Sequence, residues 1–194
     1  LNVDHPQILE FIQCKADPKE LTNFNISVGV SEAYMQAVLN DNDYDLISPH
    51  SGKVIRRLKA RDVFNLIVEM AHRNGEPGII FLDRINAANP TPKLGRIEST
   101  NPCGEQPLLP YEACNLGSIN LAKFAKDGNI DWEKLQSVIR LSVDFLDDVI
   151  DCSRFPLPQI DAMVKANRKI GLGVMGWADL LFQLEIPYTS EEAI

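Results

Sequence analysis

No apolar run in this sequence approaches the roughly 20 residues needed to cross a bilayer as a helix. No N-terminal pattern reads as a secretory leader either, so the expected location is the cytoplasm. Basic residues are in deficit: 19 Lys and Arg against 27 Asp and Glu give a formal charge of −8. An extended nucleic-acid groove needs a basic footprint. The densest cluster, Lys53, Arg56, Arg57, Lys59 and Arg61, reads instead as a solvated strand edge followed by a helix start. Neither a nucleic-acid nor a membrane partner is expected. Histidine is scarce, with His5, His50 and His72 scattered along the chain. The four cysteines, Cys14, Cys103, Cys114 and Cys152, show no Cys-x-x-Cys spacing. A zinc ribbon and a thioredoxin-like redox site are therefore excluded, and no metal site is expected. Internal repeats and low-complexity tracts are absent.

What remains is the composition of a soluble globular chain, 45% hydrophobic and 24% charged over 194 residues. That length suits one domain, or two. Asp4 and Pro6 suit the start of a helix running to about Lys15. A strand is expected over Thr22 to Val30, then a helix capped by Ser31 and running to about Leu39. Asn40 to Asp45 reads as a polar turn, and Leu46 to Ile55 as an irregular hairpin. Ala60 to Asn74 has a helical apolar stripe and is stopped by Gly75. Gly78 to Leu82 reads as a buried strand, and the text from Ala87 to Glu98 as loop. A short helix is expected from Ser118 to Phe124. The longest helix runs from Asp131 to Ile150, with Leu135, Val138, Ile139, Leu141, Phe145, Leu146, Val149 and Ile150 on one broad face. A helix near Ile160 to Ala166, a strand from Ile170 to Val174 and a helix from Gly176 to Leu184 follow. Alternating helix and strand points to an α/β fold with a largely parallel sheet.

Chemistry is concentrated in Asn101-Pro102-Cys103-Gly104-Glu105-Gln106-Pro107-Leu108. Pro102, Gly104 and Pro107 break any helix or central strand, so the segment is a loop. Positions two apart on a turned loop project to roughly one side. An amide, a thiol and a carboxylate can thus share a small volume: a donor, a sulfur and a base. A small hydrophobic Cys tucked under a turn is the plain alternative. Cys14 reads as incidental on a short amphipathic helix, and Cys152 as packing after the long helix.

The segments Glu98 to Gln106 and Glu112-Ala113-Cys114-Asn115-Leu116-Gly117-Ser118-Ile119-Asn120-Leu121 resemble the catalytic chain of ribonucleotide reductase, in its adenosylcobalamin-dependent class. Asp4-His5-Pro6, Asn23 to Val28, Gly75 to Phe81 and Asn167 to Gly176 continue the resemblance in the same order. It implies reduction of ribonucleotides to 2′-deoxyribonucleotides, precursors of DNA, by radical chemistry that a cofactor supplies. It further implies that residues 1–194 are the middle of a larger ten-stranded α/β barrel domain, cut at both ends. The active-site Cys would sit on an inserted finger loop. Cys103 resembles the residue that carries a thiyl radical once the cobalt–carbon bond of adenosylcobalamin breaks. Glu105 resembles the general base on the 3′-hydroxyl, and Asn101 the group that holds the hydroxyls. Cys114 resembles one half of a redox-active disulfide whose partner lies upstream of Leu1. The implied partners are a ribonucleoside diphosphate or triphosphate, a thioredoxin or glutaredoxin-type reductant, and a second copy in a homodimer of the full-length chain. The rivals are the cobalamin-independent class, with a separate radical-generating subunit, and an inactive nucleotide-binding fragment.

Gly171-Leu172-Gly173-Val174-Met175-Gly176 has the spacing of a dinucleotide-binding fingerprint. That motif also needs an acidic residue at the end of a second strand about 20 residues on. Glu191 has the offset, but Pro187 to Ser190 leaves no room for that strand. The glycines are expected to permit close packing of strand and helix instead.

Overall fold

A computed structural model describes residues 1–194, which divide into two compact units, Leu1–Pro110 and Tyr111–Ile194. In the first unit, α1 is Ile8–Gln13, shorter than expected because His5 Nδ1 accepts the Gln7 N–H in a turn ahead of it. Strand β1 is Ser27–Val30. The expected strand began five residues earlier, but two of those backbone groups find side-chain partners in place of a ladder. Glu76 Oε1 accepts the Ile26 N–H at 3.0 Å, and the Phe24 carbonyl accepts from the Lys15 ammonium. Helix α2, Glu32–Leu39, starts as anticipated, with the Ser31 hydroxyl accepting the Tyr34 N–H.

Strands β2, Asp43–Ile47, and β3, Val54–Lys59, form an antiparallel hairpin. β2 begins inside the segment expected to be a turn. Its polar text hides Tyr44, whose hydroxyl donates to the Val3 carbonyl, while Asp45 pairs across the hairpin with Arg57 at 2.7 Å. Helix α3, Ala60–Asn74, ends at Gly75, whose φ of 86° is the left-handed C-cap glycine favours. β4, Gly78–Phe81, pairs in parallel with β1 from Ser27↔Gly78 to Val30↔Phe81. Helix α4, Leu82–Ala87, was not foreseen. The core gathers Ile8, Ile12, Val28, Val30, Tyr34 and Leu46 with the buried stripe of α3. Burial raises the phenol pKa of both Tyr34 and Tyr44, whose rings meet edge to face. The unit ends in a short hairpin of β5, Ser99–Thr100, and β6, Pro107–Leu108.

In the second unit, β7 is Asn115–Asn120, which corrects the helix expected from Ser118. Only the 3₁₀ turn Leu121–Phe124 follows it, started by Asn120 Oδ1 accepting the Ala122 N–H. Backbone pairing with a distant strand overrides the local preference of Ser118 to Leu121. β8, Ala125–Lys126, and β9, Asn129–Ile130, make a tight hairpin. Then come α5, Trp132–Cys152, α6, Pro158–Asn167, β10, Ile170–Met175, and α7, Trp177–Gln183. β10 runs parallel to β7, from Ile170↔Asn115 to Met175↔Asn120. Leu146 and Ile150 of α5 are buried, whereas Leu141 and Phe145 on the same expected face are 69% and 64% exposed. Cys152 is exposed at the end of α5, not packed as expected, and Cys14 is half-buried.

The expected α/β character holds, with parallel pairing at β1–β4 and β7–β10, but the expected largely parallel sheet does not form. The other three strand pairs are antiparallel, and the strands form five separate two-stranded sheets, with no closed barrel. The Gly171 to Gly176 run carries no nucleotide fold. Gly171 and Gly173 lie within β10, and Gly176 turns the chain into α7 with φ of 70°. A Cβ at Gly176 would come within 2.2 Å of Asn120 Oδ1, and its φ is left-handed, so space and backbone both favour glycine there, whereas a Cβ at Gly173 would make only ordinary contacts.

Candidate active site

The Cys103 loop is the end of the β5–β6 hairpin, residues 101–106. Proline at the second position and glycine at the fourth are the residues a β-turn over Asn101 to Gly104 prefers. The Gly104 N–H closes that turn on the Asn101 carbonyl at 3.1 Å. Gly104 has φ of 87°, a conformation that a side chain would strain. Asn101 ties the loop together. Its N–H donates to the Gln106 carbonyl at 3.1 Å, and its Oδ1 accepts the Gln106 N–H at 3.0 Å. Thr100 Oγ1 donates to the Asn101 carbonyl at 2.9 Å. With Oδ1 engaged, Nδ2 is the end of the amide that can donate outward.

Asn101, Cys103 and Glu105 thus share one closed loop, as their spacing requires. Cys103 and Glu105 are exposed, and Asn101 is half-buried. Asn101 and Pro102 also border a cavity of about 340 Å³ whose other walls include Asn2, Asn25, Ser27 and Glu98. Its polar rim and modest size suit a small polar ligand. What the loop offers chemically is an accessible thiol flanked by an amide donor and a carboxylate.

Cys114 belongs to the second unit and is half-buried just ahead of β7. Two residues before it stands Glu112, whose side chain is fully buried. Lys169 Nζ meets Glu112 Oε2 at 2.6 Å, and Asn167 Nδ2 donates to Oε1 at 2.8 Å. Between them Arg168, in a left-handed conformation with φ of 48°, reaches back to α5. Its Nε donates to Asp147 at 2.7 Å, and its two terminal nitrogens donate to Asp151 at 2.9 and 3.0 Å. These hydrogen bonds hold both carboxyl groups below the usual carboxylate range and raise the guanidinium pKa. The motif Asn167-Arg168-Lys169 was conspicuous in the sequence, but the role of its three side chains was not. Three polar residues between a helix and a strand read simply as a turn. Their acidic partners are distant in sequence.

The first unit thus presents Asn-x-Cys-x-Glu on a closed hairpin, and the second carries a thiol just ahead of a parallel strand. The model of the ribonucleotide reductase barrel domain matches residues 1–194, and the chain belongs to that family. It is 54% identical, over its whole length, to a vitamin B12-dependent ribonucleoside-diphosphate reductase of Mycobacterium tuberculosis, covering 28% of that protein. It is 53% identical to the same kind of enzyme from Thermoplasma acidophilum, again over the whole chain and covering 26% of the relative. A vitamin B12-dependent ribonucleotide reductase of Streptomyces coelicolor is 33% identical over 98% of the chain and 23% of the relative. The chain thus spans little more than a quarter of the length of the first two of these relatives.

Proposed function

We propose that this chain is the segment of a B12-dependent ribonucleotide reductase that carries the reacting thiol. The complete protein reduces ribonucleotides to 2′-deoxyribonucleotides for DNA synthesis. The observation that carries this reading is the hairpin closed by Asn101, with Cys103 at its turn and Glu105 two residues on. In the complete protein, the pairs β1–β4 and β7–β10 are parts of a ten-stranded barrel, and the β5–β6 hairpin is the finger within it.

The residues fit an external radical source: Cys103 is exposed, and nothing beyond its chain neighbours lies within 4 Å of where a Cβ on Gly104 would stand. Adenosylcobalamin, when bound, supplies the one-electron chemistry that no side chain here provides. Cys103 holds the unpaired electron as a thiyl and removes the 3′-hydrogen of the nucleotide. Glu105 takes the 3′-hydroxyl proton, a step that requires hydrogen-bond reach. Asn101 donates to the ribose hydroxyls through Nδ2. The 2′-hydroxyl leaves as water. Cys114 and a second cysteine thiol outside these residues deliver two electrons and two protons and close a disulfide. Of the two protons, one completes the leaving water and one goes to C2′. Glu105 returns its proton to the 3′-oxygen, Cys103 returns its hydrogen to C3′, and a thioredoxin or glutaredoxin-type dithiol reopens the disulfide.

The test is made in the full-length protein. Cys103→Ser is expected to abolish nucleotide reduction while leaving the circular dichroism spectrum intact, because a hydroxyl forms no comparable radical. Cys114→Ser is expected to allow at most one reduction event per radical. Measurable turnover by the first variant, or sustained turnover by the second with a thioredoxin-type reductant, removes that residue from its role. Optical detection of cobalamin on the purified full-length protein decides the cofactor.

A further inference from the structure

We propose that Glu112, Lys169 and Asn167 form a buried latch that positions the Cys114 thiol for its redox cycle. The proposal rests on the reading of Cys114 as a redox cysteine. Three observations carry it. First, both oxygens of a fully buried carboxylate are engaged, Oε2 by Lys169 at 2.6 Å and Oε1 by Asn167 at 2.8 Å. Second, the latch stands where the two strands begin. Glu112 lies two residues before Cys114, and Lys169 immediately precedes Ile170, the partner of Asn115 in the first register pair. Cys114 and Lys169 are therefore the residues next ahead of that pair on their two segments. Third, the far side of the same segment is also tied, since Asn115 Nδ2 donates to the Leu146 carbonyl of α5 at 3.1 Å.

A buried ion pair is a poor way to gain stability, because well-packed apolar residues commonly do as well. Its advantage is direction. Two charge-assisted hydrogen bonds fix where the chain enters β7, which an apolar contact leaves free to slide. A thiol that must meet first a substrate and then a second sulfur needs that precision, since disulfide geometry tolerates little displacement.

The experiment uses the full-length protein and reads the equilibrium constant of the Cys114 disulfide against a glutathione buffer, with multiple-turnover kinetics beside it. Glu112→Gln and Lys169→Met are each expected to shift that constant by about tenfold, near 30 mV for a two-electron couple. The double variant is expected to shift it no further than the larger single change, because the two groups act as one unit. Lys169→Arg is expected to restore the parental constant, and kcat to fall with KM unchanged in the impaired variants. A folded Glu112→Gln protein with an unchanged constant overturns the latch, as does full additivity in the double variant. Should Glu112→Gln not fold, Asn167→Ala leaves the ion pair in place. It is expected to shift the constant in the same direction by about threefold, a smaller step on the same scale, and no shift overturns the proposal. A parent protein that forms no Cys114 disulfide at all refutes the redox reading itself, which separates the two failures.

Discussion

On the proposed reading, Asn101 has two functions in one side chain. Its carbonyl oxygen is committed to the Gln106 N–H, so the loop that presents Cys103 and the donor offered to a ligand depend on the same residue. Aspartate has nearly the same shape and can still accept that N–H, but it offers no amide donor and brings a charge beside Glu105. Asn101→Asp in the full-length enzyme is therefore expected to keep the fold and lose kcat/KM by about 100-fold, the scale of one positioned donor. Steady-state kinetics with a circular dichroism control measures it, and activity within a few-fold of the parent would refute the positioning role. The residue types of this site were legible because proline and glycine mark the loop and the i, i+2 spacing groups the side chains. The hydrogen bond that locks Asn101 was not, since any of several nearby N–H groups satisfies an amide equally well on paper.

Among the elements, the entry into α7 and the junction of α5 with α6 are the points where single changes matter most. Gly176 combines a positive φ with a close approach to Asn120, whereas Gly128, at φ of 76°, has open space around it. Gly128→Ala is expected to cost about 1 kcal/mol, the strain of a left-handed residue, and Gly176→Ala about 3 kcal/mol, since strain and overlap add. Urea unfolding of the two variants tests this, and equal losses would refute the packing explanation. At the α5–α6 junction, Arg168 holds the carboxyl pKa values of Asp147 and Asp151 down. A depressed carboxyl group stabilises the fold above its unfolded pKa and loses that contribution as pH falls through the folded one. Thermal melts should therefore show Arg168→Met less stable than the parent near neutrality, with the difference starting to shrink at the ordinary carboxylate pKa of about 4 and gone once pH passes below the depressed values. A deficit that persists at acid pH would refute the ion-pair account. Helices α2, α3 and α5 were readable within two residues because caps and apolar periodicity are local. β7 was misread, because its strand character comes from pairing with β10 some 55 residues later.

For the whole molecule, the exposed apolar surface is decisive. Leu141 and Phe145 on α5, Val174 and Met175 on β10, and Phe182 on α7, the last 82% exposed, are large groups in contact with water. Each parallel pair also carries open strand edges, and unpaired edges invite association. Prepared alone, the 194-residue chain is expected to bind a hydrophobic dye and to sediment as concentration-dependent oligomers. It is also expected to lack nucleotide reduction, because its Cys103 thiol is unshielded. A dye-free monomer, or an active one, would contradict this. The full-length protein, assayed beside it, is the reference.

The sequence alone determined the thiol-bearing loop and most of the helices: which thiol, amide and carboxylate stand two residues apart, where helices start and stop, and that α/β alternation prevails. Those features depend on neighbours within a few positions, where covalent geometry and side-chain caps dominate. Only the tertiary structure decided which strands pair, that Glu112 is buried against Lys169, and that half of the apolar face of α5 remains in water. Such outcomes depend on groups brought together from distant parts of the chain, and no local pattern encodes their distances.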